Sequence, residues 1–396
     1  MKILQVIPGV SPGHGGPSVA LTDMTRLLCE RGVDASIITT NNDPQGRWDV
    51  PLGTFTDQRG ARVLYHNIWP VNRYAFSFSL MIALIRETKT CDVVHIHWLY
   101  NFSSLAAALA AKWAKVPFVF QPNGSLDPNL MRRNRWVKDL YITLFANFIL
   151  KNAAGILYAS EGEKRLARGV KSTAVPHVIP IGLDWKDYID LPAPGLFRRR
   201  FPELEGKRII LFLSRMSRQK GIDLLIPAFR LVAAKYPDAH LVLAGPDGEG
   251  YGASVKTWIE EAGLNHRVTW AGRVPDELKL AAYVDCELFV LPSRAENFGA
   301  VVTEAMACRC PVVISNCVNI CDEVKDGASG IVVQCSVESV AEGITHLLQD
   351  PELARKLGEN GRRLVHHKFT WDVALTQLIP LYHQLSEANL SRSVKP

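Results

Sequence analysis

Short runs rich in valine, isoleucine and leucine recur along the chain, and each is followed by a longer stretch of helical or polar character. The runs do not alternate cleanly between apolar and polar residues, which is typical of parallel strands covered on both faces. In the first half the predicted strands lie at 3–7, 35–39, 63–65, 92–97, 118–121, 155–159 and 177–181. In the second half they lie at 208–214, 241–244, 268–270, 288–291, 311–314 and 331–333. The pattern predicts an α/β protein.

A punctuated polar segment between the two halves interrupts this rhythm. Its prolines, glycines and arginines are Pro192, Pro194, Gly195, the run 198–200, Pro202 and Gly206. We therefore predict two doubly wound parallel sheets that face a cleft. The predicted boundaries are 1–185 for an N-terminal Rossmann-like domain, 186–207 for a linker and 208–370 for a C-terminal Rossmann-like domain. Residues 371–396 are predicted to form a helix and tail that pack back toward the first domain.

The composition is that of a globular protein, with 47% hydrophobic and 21% charged residues among 396. No run approaches the roughly 18 apolar residues of a membrane-spanning helix. Residues 1–8 lack the long apolar core of a secretory signal. Eight cysteines are too few for a disulfide scaffold. These features favour a cytoplasmic location.

The net charge of +6 favours anionic partners such as phosphates, a lipid surface or nucleic acid, without choosing among them. Four cysteines cluster in the second half, at Cys308, Cys310, Cys317 and Cys321. Their spacing differs from the paired Cys-x-x-Cys of common structural zinc sites. Buried reduced thiols are therefore the favoured interpretation, and zinc is the alternative.

The loop after the strand at 208–214 carries two cations, Arg215 and Lys220. In parallel sheets, ligands bind outside the carboxyl ends of the strands, so both side chains are placed where a pyrophosphate would bind. A solvated basic loop is the alternative, because lysine and arginine are common at protein surfaces.

Two glutamates, Glu296 and Glu304, flank a glycine-containing turn between a predicted strand and a helix that starts near Ala300. The backbone N–H groups of 297–300 lack helical partners there and would point toward a phosphate. Glu296 would accept hydrogen bonds from sugar hydroxyls and Glu304 from a ribose, the order of groups in a nucleotide sugar. The alternatives are a loop carboxylate without a function for Glu296 and a first-turn acid favoured by the helix dipole for Glu304.

Over most of its length the sequence resembles the retaining glycosyltransferases of family four, including those that build bacterial polysaccharides. The resemblance is most specific at 211–314. The matching segments are Arg215 with Lys220-Gly221, Leu243-Ala244-Gly245, Gly272-Arg273-Val274, Leu291-Pro292-Ser293, Glu296-Asn297-Phe298-Gly299 to Glu304-Ala305-Met306-Ala307, and Pro311-Val312-Val313. The resemblance implies the GT-B fold, retention of the anomeric configuration, and neither a metal nor another cofactor.

The roles of the site residues come from the same resemblance. It implies that Arg215 and Lys220 hold the donor diphosphate, that Glu296 contacts the donor hexose, and that Glu304 contacts the ribose. Arg215, Lys220 and Glu296 are thus the predicted catalytic residues. The remaining donor contacts that it implies are the backbone of Asn297, Phe298 and Gly299, and the turn Gly272-Arg273-Val274 beside the base.

The N-terminal half is predicted to hold the acceptor. Gly15 and Gly16 follow the first strand and resemble the family's glycine pair, at which the backbone approaches the donor; an ordinary flexible loop is the alternative. His95 and His97 share one face of a strand. A buried structural histidine is the favoured interpretation for His95. It is the alternative for His97, which is the predicted sugar or acceptor contact because it lies nearer the carboxyl end. Where many family members carry a histidine before a glycine, this chain has Asn123, which forms hydrogen bonds but does not shuttle protons.

The segment 131–141 combines four cations with Trp136 and Tyr141 and leads into an apolar run. Such a surface is suited to peripheral contact with an anionic membrane, and a solvated helix packed on its own domain is the alternative. Contact with the inner face of the plasma membrane would fit a lipid-linked saccharide acceptor. Nucleic acid is not expected as a partner, because no recognised binding module accompanies the charge.

The sequence thus predicts a hexosyltransferase that moves a hexose from a nucleotide diphosphate sugar to a sugar or lipid-linked saccharide. One alternative is a nucleotide-sugar 2-epimerase of the same fold, which needs no acceptor. Another is a catalytically silent module that binds nucleotide sugar, which Asn123 favours. A phosphorylase is disfavoured, because such enzymes are longer and use a pyridoxal cofactor.

Overall fold

The computed structural model describes residues 1–69, 74–128, 145–169, 171–247 and 250–393. The chain divides into two compact units. Unit 1 comprises Met1–Leu183 and Trp371–Pro396, and unit 2 comprises Asp184–Thr370. Each unit is built on one main parallel sheet.

Unit 1 contains the first ten strands. They are β1 Lys2–Val6, β2 Asp34–Thr40, β3 Asn42–Asp43, β4 Gly46–Arg47, β5 Phe55–Gln58, β6 Ala61–His66, β7 Val93–His97, β8 Phe118–Gln121, β9 Gly155–Tyr158 and β10 Val175–Val178. The α-helices described in this part of the chain are α1 Gly16–Glu30, α2 Phe78–Glu87, α3 Phe102–Ala114, α4 Asn147–Asn152 and α5 Glu161–Leu166.

Unit 2 contains the other strands. They are β11 Arg208–Leu213, β12 Ala239–Ala244, β13 Val268–Gly272, β14 Leu288–Leu291, β15 Val312–Ser315 and β16 Gly330–Val333. Its helices are α6 Leu196–Arg200, α7 Ile222–Lys235, α8 Gly252–Glu261, α9 Asp276–Asp285, α10 Ala300–Ala307, α11 Cys321–Asp326, α12 Val337–Gln349 and α13 Pro351–Lys368. The chain then returns to unit 1 as α14, Trp371–Ser393.

Both main sheets have the same doubly wound order. In unit 1 it is β10-β9-β8-β7-β1-β2-β6-β5, and in unit 2 it is β13-β12-β11-β14-β15-β16. In each sheet the chain reverses its direction of winding after the third main strand, so the first strand pairs with the fourth, β1 with β7 and β11 with β14. Ligands of open α/β sheets bind at this switch point, outside the carboxyl ends of the strands.

The sheet of unit 1 is covered on both faces. Neighbouring residues of a strand point to opposite sides of the sheet, and both sides are buried. Leu4 and Val6 join one buried cluster, which includes residues of α2 and α3. Ile3 joins the other, which includes residues of α1 and of α14 such as Leu375. The final helix therefore packs on the sheet of unit 1. Together the two clusters explain the near-continuous apolar runs in the sequence.

Every strand predicted from the sequence is present, with ends shifted by at most three residues. The antiparallel edge strand β5 was not predicted, because Phe55–Gln58 is short and mostly polar. The structure also differs from the predicted linker at 186–207, which lies within unit 2. Phe197 and Leu204 are fully buried there, and the Asp285 carboxylate accepts hydrogen bonds from the backbone of Gly195, Phe197 and Arg198.

Candidate functional site

The switch point of unit 2 brings together the loop after β11 and the loop after β14. Gly221, with φ +71°, ends the first loop and begins α7. A Cβ at this position would lie 2.0 Å from the carbonyl oxygen of Pro292, so only glycine permits the approach. The N–H of Arg294 also donates to the carbonyl oxygen of Gln219 at 2.8 Å. The two loops that carry the predicted residues therefore form one structure.

Lys220 and Glu296 form an ion pair across these loops. Their side chains are only 14% and 15% exposed, so the charges are held in place more firmly than in a surface pair. The backbone of Glu296 is fixed as well, because its N–H donates to Cys317 and its carbonyl oxygen accepts from Asn319, both at 3.0 Å. The sequence analysis predicts that Lys220 and Glu296 bind different groups of the ligand, and it does not predict that the two side chains are in contact.

Helix α10 begins directly behind this ion pair. Its N-cap is Gly299, with φ +82°, and no side chain caps the helix start. The buried Oδ1 atom of Asn297 has no hydrogen-bond partner among the described residues. The Phe298 side chain is buried against Phe369, with ring centroids 5.5 Å apart, so only the backbone of Phe298 can contact a ligand at this loop. Uncapped N–H groups at a helix start favour an anion.

Glu304 lies one turn into α10 and is held by two residues of α9 that the sequence did not reveal. Lys279 Nζ donates to Glu304 Oε1 and Tyr283 OH donates to Glu304 Oε2, both at 3.1 Å. Burial alone would lower the pKa of Lys279, but the Glu304 carboxylate outweighs it and the net pKa is raised. Lys279 and Tyr283 are four residues apart, which places them on one helix face, but spacing alone does not say what that face contacts.

Two further loops border the switch point on the β12–β13 side. Gly245, with φ +128°, packs so closely that a Cβ would lie 1.9 Å from the carbonyl oxygen of Ser214. Its N–H donates to the carbonyl oxygen of Gly272 at 2.6 Å. The predicted turn Gly272-Arg273-Val274 is thereby connected to the residues next to Arg215. The side chains of Arg215 and Arg273 are exposed.

The switch point of unit 1 carries the predicted glycines. Gly15, with φ +71°, is the N-cap of α1, and Gly16 is the first residue of that helix. A Cβ built at either position meets no atom within 4 Å. The preceding His14 packs its ring on Trp98, which follows β7 and has φ +63°. The loops after β1 and β7 are therefore in contact at this edge of the sheet.

The predicted contact His97 is 4% exposed, and both of its ring nitrogens have partners in unit 1. Nε2 lies 2.9 Å from Gln5 Oε1, and Nδ1 lies 3.4 Å from Asn123 Nδ2. Burial lowers the pKa of His97 to about 3, so the ring is neutral at physiological pH. His95, stacked on it, bonds through Nδ1 to Tyr382 OH at 2.7 Å. The geometry fits a hydrogen-bonding role for His97 better than a proton shuttle.

The turn that contains Asn123 is fixed by a buried glutamate that the sequence did not reveal. Glu163 accepts hydrogen bonds from the N–H groups of Gly124 at 2.6 Å and Ala159 at 2.7 Å. Burial raises its pKa to about 7, although the two backbone hydrogen bonds oppose the shift. Glu163 thus connects the carboxyl ends of β8 and β9 immediately beside Asn123.

We expect Glu163→Gln to destabilise the protein by about 1–3 kcal/mol, because an amide oxygen cannot replace both carboxylate acceptors and one buried N–H loses its partner.

The substitution Glu163→Gln should also change how the free energy of unfolding depends on pH. Between pH 4.5 and about 7 the folded protein binds a proton at Glu163 that the unfolded chain releases, so the free energy of unfolding falls as pH rises through this range. Urea unfolding at pH 5 to 8 should show a shallower slope for Glu163→Gln. The exposed neighbour change Glu161→Gln should leave the wild-type slope unchanged.

The clustered cysteines are divided between the interior and the site. Cys308 and Cys310 are buried, whereas Cys317 and Cys321 are partly exposed. Within the described ranges, no group of three or more histidine, cysteine or acidic residues is arranged to hold a metal ion. The predicted membrane segment 131–141 lies outside the described residues. Of the helices that are described, none is long and apolar enough to cross a bilayer.

Two family models match the chain, one in each unit. Residues 15–182 match a glycosyl transferase 4-like domain, and residues 196–364 match glycosyl transferases group 1. The second match covers both loops of the unit 2 switch point and all of α10. The first covers Gly15, Gly16, His97 and Asn123.

Several curated relatives are similar to the chain. An uncharacterized glycosyltransferase of Methanocaldococcus jannaschii is 29% identical over 52% of this chain and 51% of the relative. A lipopolysaccharide core biosynthesis mannosyltransferase of Rhizobium leguminosarum is 31% identical over 48% of this chain and 54% of the relative. The chain thus spans about half the length of these two relatives. N-acetyl-alpha-D-glucosaminyl L-malate synthase of Bacillus anthracis is 22% identical over 94% of this chain and 95% of the relative.

Solved structures are similar over nearly the whole chain. Sucrose-phosphate synthase of Thermosynechococcus elongatus matches with a TM-score of 0.79 and 22% identity, over 98% of this chain and all of that one. The Anabaena protein HepE, solved in complex with UDP-glucose, matches with a TM-score of 0.75 and 20% identity, over 99% of this chain and 100% of that one. At these identities the likeness shows the fold.

Proposed function

The chain belongs to the GT4-type glycosyltransferases and has the GT-B fold, and from this premise we propose that it is a retaining hexosyltransferase. Its donor is a nucleotide diphosphate sugar, and its acceptor is a hydroxyl of a sugar or lipid-linked saccharide in surface polysaccharide synthesis. The observation that carries the proposal is the ion pair of Lys220 and Glu296 beside the uncapped start of α10. One cation, one carboxylate and free backbone donors at a switch point match a sugar diphosphate.

The diphosphate is proposed to lie between the loop after β11 and the start of α10. When the bond between sugar and phosphate breaks, negative charge develops on the leaving diphosphate. Arg215, Lys220 and the N–H groups of 297–300 are proposed to stabilise that charge, in the way that preorganised donors accelerate such reactions. Each hydrogen bond to a charged group contributes about 1.5–3 kcal/mol. Because a phosphate oxygen can itself take up the acceptor proton, this scheme needs no histidine base at Asn123.

Glu296 is proposed to accept hydrogen bonds from hydroxyls of the donor hexose. Its Oε2 atom is bonded to Lys220, which leaves Oε1 for the sugar. The ion pair also orients the carboxylate, since a lone glutamate on a loop would lose several rotamers on binding. One side chain of the pair therefore faces the diphosphate and the other faces the hexose. Asn297, Phe298 and Gly299 contribute backbone contacts to the same groups.

Glu304 is proposed to bind the ribose hydroxyls, with the turn Gly272-Arg273-Val274 beside the base. Lys279 and Tyr283 act as positioning residues, because each holds one carboxylate oxygen of Glu304. Both Glu304 oxygens retain further lone pairs that can accept from a ribose. The site can thus recognise a ribonucleotide through a carboxylate fixed on two sides.

We expect Lys279→Met to raise KM for the ribose-containing donor by about 10-fold or more, because Glu304 loses a charged hydrogen bond that orients it. For a donor with 2′,3′-dideoxyribose, KM should be high in the wild type and almost unchanged by the substitution. Steady-state kinetics on both donors measure the difference. Lys325→Met, at an exposed lysine of α11, serves as the control. An equal increase for both donors would show that Lys279 has only a structural role.

The acceptor is proposed to bind at the switch point of unit 1. Asn123 is half-buried, with φ +49°, and presents its amide there, held by His97. Gly15 and Gly16 leave the backbone accessible and are proposed to approach the donor. A peripheral location on the inner face of the plasma membrane, through 131–141 or another surface, fits a lipid-linked acceptor.

The test is turnover of a panel of nucleotide diphosphate sugars with membrane extract as the acceptor source. Free nucleotide together with a glycosylated lipid or saccharide is the expected result. An epimerised donor without an acceptor product would instead identify an epimerase. Saturable donor binding, seen as a raised melting temperature without turnover, would identify a silent binding module. Repeating the assay in a metal chelator tests the expectation that no metal is required.

A further inference from the structure

Helices α2 and α3 of unit 1 lie side by side and run in the same direction. At their amino ends, Phe76 packs on Phe102 with ring centroids 4.5 Å apart. At their carboxyl ends, Lys89 Nζ, just after α2, lies 4.6 Å from the ring centroid of Trp113 in the last turn of α3. Contacts at both ends keep the two helices in register, so their outer sides form one continuous surface. Ser77 and Asn101 cap the two helices at the same edge.

The outer side of this helix pair is apolar. The inner sides pack into the core through residues such as Leu84 of α2 and Ala107 of α3. The outer sides expose Phe78 (62%), Ile82 (53%) and Ile85 on α2, and Leu109 and Trp113 (62%) on α3. The spacings of four, three and four residues place each set on one helix face. We call these five residues the α2–α3 apolar face.

Lysines border this face, and their positive charges are not neutralised by ion pairs with acidic side chains in the described part of the chain. Lys89, Lys112 and Lys115 lie at the carboxyl ends of the two helices, and none of them forms a salt bridge within the described part of the chain. Glu87 is the acid of α2, and it is already bonded to Lys2 and Arg86. A face with aromatic and aliphatic side chains beside uncompensated lysines is complementary to an anionic bilayer surface, where aromatic rings occupy the headgroup level.

We propose that the α2–α3 apolar face docks the protein on an anionic lipid bilayer. Phe78, Ile82 and Trp113 enter the boundary between headgroups and acyl chains, and the bordering lysines contact lipid phosphates. The inference deepens the proposed function. It rests on that function only for the purpose of docking, which is to bring the enzyme to a lipid-linked acceptor. It assigns the membrane contact to residues other than 131–141, the segment for which the sequence analysis considered such a contact.

Sedimentation with vesicles tests this assignment directly. The wild-type protein should bind vesicles of phosphatidylethanolamine with phosphatidylglycerol and bind phosphatidylcholine vesicles at least about 10-fold more weakly. The variant Phe78→Gln/Ile82→Gln/Trp113→Gln should lose about 10- to 100-fold in partitioning at any salt concentration, because its loss is apolar. The variant Lys89→Gln/Lys112→Gln/Lys115→Gln should lose binding mainly at low salt, because its loss is electrostatic.

The matched control is Leu52→Gln/Leu231→Gln, which removes two side chains of similar exposure elsewhere and should bind like the wild type. Wild-type partitioning by the apolar-face variant would overturn the proposal, as would a wild-type dimer in ultracentrifugation that the variant abolishes. Circular dichroism melting checks that each variant is folded. Donor turnover with a soluble acceptor is measured separately. A wild type without turnover would refute the proposed function, whereas the vesicle result would still decide the docking surface.

Discussion

Glu296→Gln is expected to lower kcat/KM for the donor by about 10²- to 10³-fold, the effect of removing one electrostatic contact to a reacting group. Glutamine keeps the shape of the side chain but removes its charge. The donor hexose then loses its charged acceptor, and Lys220 keeps an amide oxygen as its partner but loses the opposite charge. Glutamine is preferable to alanine, because alanine would leave the mostly buried ammonium group without any partner.

Steady-state kinetics and nucleotide binding together separate the two roles of Glu296. Binding of the free nucleoside diphosphate, which lacks the hexose, should weaken far less than kcat/KM falls. Glu342→Gln, at an exposed position of α12, should behave like the wild type. A Glu296→Gln enzyme within about threefold of wild-type kcat/KM would refute the assignment of this carboxylate to the donor sugar.

The fold could be predicted because its main determinant is local. Each parallel strand, covered on both faces, leaves an apolar run that is visible in the sequence, and every predicted run forms a strand. The segment 186–207 could not be placed in the same way. The prolines and arginines of this segment are typical of a linker. However, the carboxylate of Asp285, far along the chain, accepts hydrogen bonds from the backbone of the segment and fixes it within unit 2. Such a long-range contact has no local signature.

The site shows the same limit. Arg215, Lys220, Glu296 and Glu304 could be placed on loops and a helix start, because each follows a recognisable strand. Which of them touch depends on the pairing of β11 with β14, which brings Lys220 and Glu296 together across 76 positions. Lys279, Tyr283 and Glu163 were missed because each acts by holding another residue, and that role follows only from how helices pack.

Gly221→Ala should have the second large effect, because it disrupts the contact between the loop after β11 and the loop after β14. The new Cβ would lie 2.0 Å from the carbonyl oxygen of Pro292, so one loop must move away from the other. The positive φ adds a penalty of about 1–2 kcal/mol for a residue with a side chain. We expect a total loss of about 3 kcal/mol or more, since the clash is with backbone and cannot be relieved by a rotamer change.

For a unit of this size, such a loss corresponds to a fall in melting temperature of about 6–12 °C. The matched control is Gly206→Ala, because Gly206 has φ +68° in the same unit and a Cβ there meets no atom within 4 Å. Calorimetry on both variants therefore separates the cost of the backbone angle from that of the clash. Activity should separate them further: displacing Lys220 by about 1 Å costs up to about 100-fold in rate, whereas Gly206→Ala moves no site residue. Equal melting temperatures and rates for the two variants would show that the close approach of Gly221 to Pro292 does not hold the site together.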